Sequence, residues 1–211
     1  MLKRLIRVND FLKKNPTQLK LKNIYDFGNP DYILNQSVYL YNELPIRLAH
    51  RTKELSSLPE NIINSVHLQN VHDLYIDSFE RILKHPKPKK MDDAYSFYNL
   101  IKDIKNIHGK AELNLSMAIE DFRIKNIIDY DIESKKIDKI LSDFYMSRIG
   151  IRFLIGQHIA VIENKDNINN NNNIRGIIDK SCNPFKITKN AIDDIQSITN
   201  HIYLKDNINY N

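Results

Sequence analysis

Apolar residues recur every three or four positions along most of this chain, the spacing that gathers them on one face of an α-helix. The first such segment spans 31–56 and contains Pro45, which is expected to start or kink a helix, not to sit within its hydrogen-bond ladder. Pro59 marks a break. A second segment spans 60–84, with Ile63, Val66, Val71, Leu74, Ile76, Phe79, Ile82 and Leu83 at helical spacings. His85–Lys90 holds two prolines and reads as a loop. A third segment, 92–125, can be capped by Asp92 or Asp93, and its stripe runs Phe97, Ile101, Ile104, His108, Ala111, Leu115, Ala118, Phe122. The fourth, 132–163, carries Ile137, Ile140, Leu141, Phe144, Ile151, Ile155, Ile159 and Ile162. Four amphipathic segments with short connections predict a mainly α fold, a four-helix up-down bundle over 31–163. The last two segments are unusually long for single helices.

The remainder has a different texture. Residues 164–173 are Asn-rich and bury no apolar surface, so they read as a linker. Ile174–Ile178 looks like a short strand. Pro184 opens a helix to about Leu204, with Ile187, Ala191, Ile195, Ile198 and Ile202 on one face. One strand and one helix cannot enclose a core, so 174–211 is expected to be the incomplete start of a second domain.

Composition narrows the function classes. With 42% hydrophobic and 27% charged residues the chain is an ordinary globular protein. The net charge of +5, from 31 basic and 26 acidic residues spread along the sequence, fits a solvated surface better than a nucleic-acid-binding face. The single cysteine, Cys182, excludes an internal disulfide and a cysteine-based zinc site. No run reaches the ~20 apolar residues of a membrane span. Residues 1–30 stand apart: up to Asn23 they hold seven basic residues and one acid, Asp10. That composition suits a mitochondrial transit peptide or a basic first helix.

Candidate chemistry lies on the apolar stripes. Tyr75 sits beside Leu74, in register with Val71, Phe79 and Ile82. His108 takes the stripe position between Ile104 and Ala111, and Arg148 the one between Phe144 and Ile151. An arginine facing a core is costly unless a polar or anionic group meets it. Two arrangements satisfy it. One is a core network, with Arg148 paired to an acid such as Asp143 or Glu112. The other is a cationic cavity in which the guanidinium holds a ligand carboxylate by two parallel hydrogen bonds. His67 and His72 diverge on a helix and do not form a metal pair. No two of the five glycines (Gly28, Gly109, Gly150, Gly156, Gly176) are separated by one residue, so the chain has no Gly-x-Gly or Walker-type phosphate loop.

Several longer matches carry a family resemblance. Asn42-Glu-Leu-Pro-Ile-Arg-Leu-Ala-His-Arg51, Leu58-Pro59, Val71-His-Asp-Leu-Tyr-Ile76, and Phe144-Tyr-Met-Ser-Arg-Ile-Gly-Ile-Arg152 with Gln157-His158 resemble the mitochondrial 2-oxo-acid dehydrogenase kinases, pyruvate and branched-chain. Tyr25-Asp-Phe-Gly28 matches a short element of the pyruvate enzymes. Ile177–Asn183 with Pro184 resembles the start of the family's nucleotide-binding domain. The resemblance implies a regulatory bundle followed by an α/β ATPase domain of the histidine-kinase type. It implies a protein-serine kinase, using ATP and Mg²⁺, that acts on the dehydrogenase subunit of its complex in the mitochondrial matrix. By position, Tyr75, His108, Arg148 and Arg152, with Ser78 and Ile104 beside them, match the family's pocket for small 2-oxo acids. Leu19, Ile24, Phe27 and Tyr39 match the slot that docks the lipoyl domain of the acyltransferase core, although Ile24 replaces an aromatic. Lys105 and Ile107 stand where arginines are usual. The family's catalytic Glu, its Mg-binding Asn and its glycine-rich lid have no counterpart and are expected beyond Asn211. No catalytic residue is therefore assigned, and the chain alone is expected to be inactive. The competing expectation is a non-enzymatic bundle that docks on lipoyl domains or senses 2-oxo acids.

Overall fold

The computed structural model describes residues 2–125, 127–164 and 173–206; side chains are described for all of these except 2–6, 127–132, 198 and 200–206. The described chain is mainly helical: α1 (Leu2–Leu12), α2 (Leu21–Phe27), α3 (Ile33–Leu55), α4 (Glu60–Ile63), α5 (Val66–Lys84), α6 (Met91–Ile107), α7 (Ala111–Lys125), α8 (Ile127–Glu163) and α9 (Pro184–Asp206). Two short strands, β1 (Ile174–Arg175) and β2 (Ile178–Asp179), pair as a small sheet. The chain divides into two compact units, Met1–Ile178 and Asp179–Asn211. Most of the expected linker, 165–172, lies outside the described residues.

In the first unit α3 packs on α5, α6 and α8, and α5 packs on α7. One continuous core joins them. Leu40, Leu44, Leu48 and Leu55 enter from α3, and Val71, Tyr75, Phe79 and Ile82 from α5. Phe97, Ile101, Ile104, Leu115 and Phe122 enter from α6 and α7, and Ile137, Phe144, Ile151, Ile155 and Ile159 from α8. Helix α1 joins this core through Val8, and Phe11 stands edge-on to Phe79 with ring centroids 5.2 Å apart.

Several boundaries differ from expectation, each for a local reason. Pro45 sits inside α3, which runs through it without a break. Its ring removes a ladder bond at a cost of about 3 kcal/mol, which burial of leucines on both sides of it offsets. The second segment splits at Ser65, whose hydroxyl accepts from the Leu68 amide at 3.1 Å and caps α5, leaving α4 as a single turn. Val66, counted on the apolar stripe, is exposed. The third segment is two helices joined by a 3₁₀ turn at His108–Lys110. Neither Asp92 nor Asp93 is the N-cap of α6; that is Lys90, and Asp93 caps from within the first turn by accepting from the Lys89 and Lys90 amides (2.9 and 3.2 Å). Ile174–Ile178 is not one strand but the two strands of a tight turn, because Gly176 takes φ +62°, where other residues are strained.

The second unit contains α9. Its described apolar side chains, Phe185, Ile187, Ile192 and Ile195, are exposed.

Two buried polar groups hold the N-terminal segments to the helices. Glu43, on α3, accepts from the Thr17 amide and hydroxyl (both 2.8 Å) and from Arg47 Nε (2.8 Å), while Arg47 Nη2 donates to the Thr17 carbonyl. Further along α3, His158 of α8 lies 3.0 Å by Nδ1 from Gln36 Oε1 and 3.2 Å by Nε2 from Ser37 Oγ. Gln36 in turn donates to the carbonyls of Phe27 and Asn29, so its oxygen faces the ring and the ring's Nδ1 carries the proton. Burial pushes the His158 ring from its ordinary 6.5 down to about 4, so it is neutral in the folded protein.

Two outcomes are expected. Glu43→Ala strands the buried Arg47 charge and should lower stability to urea by about 3–5 kcal/mol, against about 1 kcal/mol for Thr17→Val. Between pH 6.5 and 4 the unfolded state takes up a proton at His158 that the folded state refuses. Stability should therefore fall as pH drops through that window, by up to about 3 kcal/mol from this residue, and His158→Gln should flatten the pH dependence of the unfolding midpoint.

Candidate anion pocket and docking slot

Arg148 is 2% exposed, and its guanidinium is met from three directions. Nε donates to Glu112 Oε1 at 2.8 Å, Nη1 to the Tyr75 hydroxyl at 3.3 Å, and Nη2 to the main-chain carbonyl of His108 at 2.7 Å. Each partner arrives by a different local device. Tyr75 is on the buried face of α5. Glu112 is in the first turn of α7. The His108 carbonyl opens the 3₁₀ turn, where it accepts the Ala111 amide and the guanidinium together. The Gly109 side of that turn is open space.

The His108 ring lies edge-on to Tyr75, with centroids 4.7 Å apart, and its Nε2 is 2.8 Å from Ser78 Oγ. Burial, then the charges of Arg148 and Arg152, push this imidazole down to about 4, so it is neutral near pH 7. Burial also raises the Tyr75 phenol above its ordinary range, so it too is uncharged. Glu112 is held below the ordinary carboxylate range chiefly by its hydrogen bond to Arg148. The pocket therefore contains cations, neutral donors and one carboxylate.

These groups border a cavity of about 10 Å³, room for one water. Leu44, Leu48, Ile82, Ile104, Ile151 and Ile155 form its apolar wall; Tyr75, Lys105, His108, Arg148 and Arg152 form the polar side. Tyr75, Ile104, His108, Arg148 and Arg152 thus line one cavity, and Ser78 touches it through His108. Arg152 is exposed at its edge, unlike the other five. Glu112 was visible in the sequence only as one of two acids able to pair with Arg148. Asp143, the other, offers instead its carbonyl to Arg51 Nη1 (3.1 Å). Lys105 was visible only as a departure from the family's arginine. The sequence held no signal to choose between the two acids.

A second cavity lies between α2, α3 and α8. Ile24, Phe27 and Tyr39 line it together with Gln36, Leu40, Leu154, Gln157 and His158. Phe27 stacks on Tyr39 with centroids 5.5 Å apart. Leu19 does not line this cavity; it lies over Gly150 of α8, where an added Cβ would come within 3.6 Å of its Cδ1. Gln157 closes one side. Its Nε2 donates to the carbonyls of Ile24 (3.2 Å) and Arg175 (3.0 Å), and its Oε1 accepts from the Ile177 amide (2.8 Å). A Cβ at Gly28 would lie 2.7 Å from Gln157 Nε2, and one at Gly176 would also collide with this amide. At Gly28 a Cβ would also meet Arg175 Cβ at 2.7 Å and the Tyr25 carbonyl at 2.9 Å. The Arg175 guanidinium covers the Tyr25 ring at 4.6 Å.

No group of His, Cys, Asp or Glu among the described residues could hold a metal ion. No described helix is long and apolar enough to cross a membrane.

Comparison with known proteins meets this geometry. Residues 18–179 match the sequence profile of the family described as mitochondrial branched-chain alpha-ketoacid dehydrogenase kinase. The chain is 28% identical over 210 residues to [pyruvate dehydrogenase (acetyl-transferring)] kinase 2, mitochondrial, of Saccharomyces cerevisiae, covering 96% of this chain and 42% of that protein. It is 28% identical over 202 residues to isozyme 1 of Rattus norvegicus, covering 94% of this chain and 46% of that one. It is 30% identical over 185 residues to the Arabidopsis thaliana kinase, covering 86% and 49%. The chain thus spans about half the length of the curated relatives it matches. The matched region takes in α3 to α8, both cavities and the β1–β2 turn, and the chain belongs to the mitochondrial branched-chain alpha-ketoacid dehydrogenase kinase family.

Proposed function

We propose that this chain is the regulatory and docking part of a mitochondrial matrix protein-serine kinase that phosphorylates the dehydrogenase subunit of a 2-oxo-acid dehydrogenase complex, pyruvate or branched-chain. The observation that carries the reading is the buried Arg148 guanidinium. It meets Tyr75, the His108 carbonyl and Glu112 beside a cavity that Lys105 and Arg152 also border and whose other wall is apolar. A small 2-oxo acid has the matching chemistry: a carboxylate for the guanidinium, a carbonyl for a neutral donor, and a short apolar tail. Tyr75, Ser78, Ile104, His108, Arg148 and Arg152 are its proposed contacts. Ile24, Phe27 and Tyr39 are proposed to receive the lipoyl-lysine arm of a lipoyl domain, with Leu19 a further proposed contact outside this cavity.

ATP and Mg²⁺ belong, on this reading, to the complete kinase. The residues of this chain do not fit them: the five glycines form no phosphate-cradling loop, and the described carboxylates and histidines form no metal cluster. No step of phosphoryl transfer is assigned to them. Kinetic assay of the purified 211-residue chain with Mg-ATP should show no turnover; robust Mg-dependent kinase activity would refute this division of labour.

The pocket is tested by thermal shift. Dichloroacetate or 2-oxoisocaproate at a hundredfold its Kd should stabilise the folded chain by about 2.7 kcal/mol, a rise in Tm of roughly 5–10 °C. Arg148→Ala should abolish the shift. Arg148→Lys should lose most of it, because an ammonium cannot present the two parallel donors. An unrelated helical scaffold would respond to neither acid.

A further inference from the structure

The guanidinium proposed to receive a ligand carboxylate already holds one. Glu112 Oε1 lies 2.8 Å from Arg148 Nε. Among the described residues the other acceptors of this guanidinium are uncharged oxygens, the Tyr75 hydroxyl and the His108 carbonyl. The two partners of the ion pair differ in their setting. The Arg148 side chain is 3% exposed, whereas that of Glu112 is 56% exposed. The arginine is fixed in the core, and the glutamate reaches in from the surface of the first turn of α7, so that outside the pair its carboxylate returns to water. The adjoining cavity holds no more than one water, so the arrangement is a closed one.

We propose that Glu112 is a tethered carboxylate that occupies the ligand's place on Arg148, so that a small carboxylic acid binds by displacing it and Glu112 sets the ligand concentration at which the pocket fills. This rests on the anion-pocket reading above. The exchange is carboxylate for carboxylate. The incoming acid takes the Nε and Nη donors, Glu112 rotates outward, and the charge facing Arg148 and its neighbours Arg152 and Lys105 is unchanged. The apparent affinity is then the intrinsic one reduced by the fraction of molecules in which Glu112 has left. A charge-assisted hydrogen bond in a part-buried setting holds the closed form in large excess.

The experiment titrates the 211-residue chain with 2-oxoisocaproate and, separately, dichloroacetate, at fixed ionic strength, by calorimetry and thermal shift. Wild type is compared with Glu112→Gln, Glu112→Ala and Arg148→Ala, each checked for helical content. Two Glu112 variants are used so that a folding defect in one does not decide the result. The expected result is binding at least tenfold tighter in both Glu112 variants and none in Arg148→Ala. Binding in the Glu112 variants alone supports the tether equally, since it means that Glu112 suppresses the wild-type affinity below detection. If wild type binds and the Glu112 variants bind equally or more weakly, the tether is refuted and the pocket reading survives. If neither wild type nor any Glu112 variant binds either acid, the pocket reading itself fails and the tether falls with it.

Discussion

Taking the Arg148 guanidinium out of water is the constraint around which the first unit is organised. An unpaired guanidinium at that depth would cost several kcal/mol, so its donors must be met, and they are met from α5, from the α6–α7 junction and from the first turn of α7. Those partners sit 73, 40 and 36 residues away in sequence. One side chain therefore fixes the register of α8 against the helices around it. The 3₁₀ turn at His108–Lys110 takes part in meeting that need. Its first carbonyl, that of His108, accepts both the Ala111 amide and the guanidinium, which makes its shortest contact there.

A second set of polar ties holds the segments that precede and follow the helices. Glu43 and Arg47 clamp the chain at Thr17. Gln157 joins the Ile24 carbonyl of α2 to both sides of the β1–β2 turn. His158, the next residue, anchors α3 through Ser37 and Gln36, and Gln36 holds the end of α2. Glu-Leu-Pro-x-Arg, Gln-His and Tyr-Asp-Phe-Gly, three of the elements that carry the family likeness, thus do one kind of work. The first fastens the segment before α2 at Thr17, and the other two fasten α2 and the turn after α8 onto the core beside the slot of Ile24, Phe27 and Tyr39. Gln157, with Arg175 Cβ and the Tyr25 carbonyl, leaves no room for a Cβ at Gly28, and Gln157 together with a φ of +62° selects glycine at Gly176.

What could be read beforehand was whatever depends on periodicity. The stripe from Phe97 through His108 to Phe122 is buried at every position, and the same spacing put Tyr75, His108 and Arg148 on inward faces before any contact was known. What could not be read depends on competition between local and distant forces. Pro45 argues for a helix break by its own chemistry, yet the leucines before and after it bury into one core and the helix continues. The third stripe passes unbroken through the 3₁₀ turn, because a spacing of four and then three residues suits either geometry. Gly176 was one glycine in an apolar run, and nothing local separated a strand from a hairpin until Gln157 was seen to grip both of its arms. Val66 fits the α5 stripe by number but follows the Ser65 cap, at the first position of the helix, where the face has not yet turned inward.

Charge balance limits what a ligand of the pocket can gain. Tyr75 and His108 are both neutral near pH 7, the first because burial raises its pKa, the second because burial and the neighbouring arginines lower it. Neither can supply a new charge when an acid arrives. Arg148 is already matched by Glu112, so a ligand carboxylate that takes its place replaces one ion pair with another of similar strength. The surplus that makes binding favourable must then come from the other end of the molecule. Leu44, Leu48, Ile82, Ile104, Ile151 and Ile155 supply an apolar wall there, and burying a few methyl groups against it is worth about 0.8 kcal/mol per carbon. Acids with a short branched or halogenated tail gain from that wall. Formate and acetate, which offer the same carboxylate with almost nothing behind it, do not. On the proposed reading, discrimination among small acids is made by the apolar half of the cavity, while the cationic half only admits them.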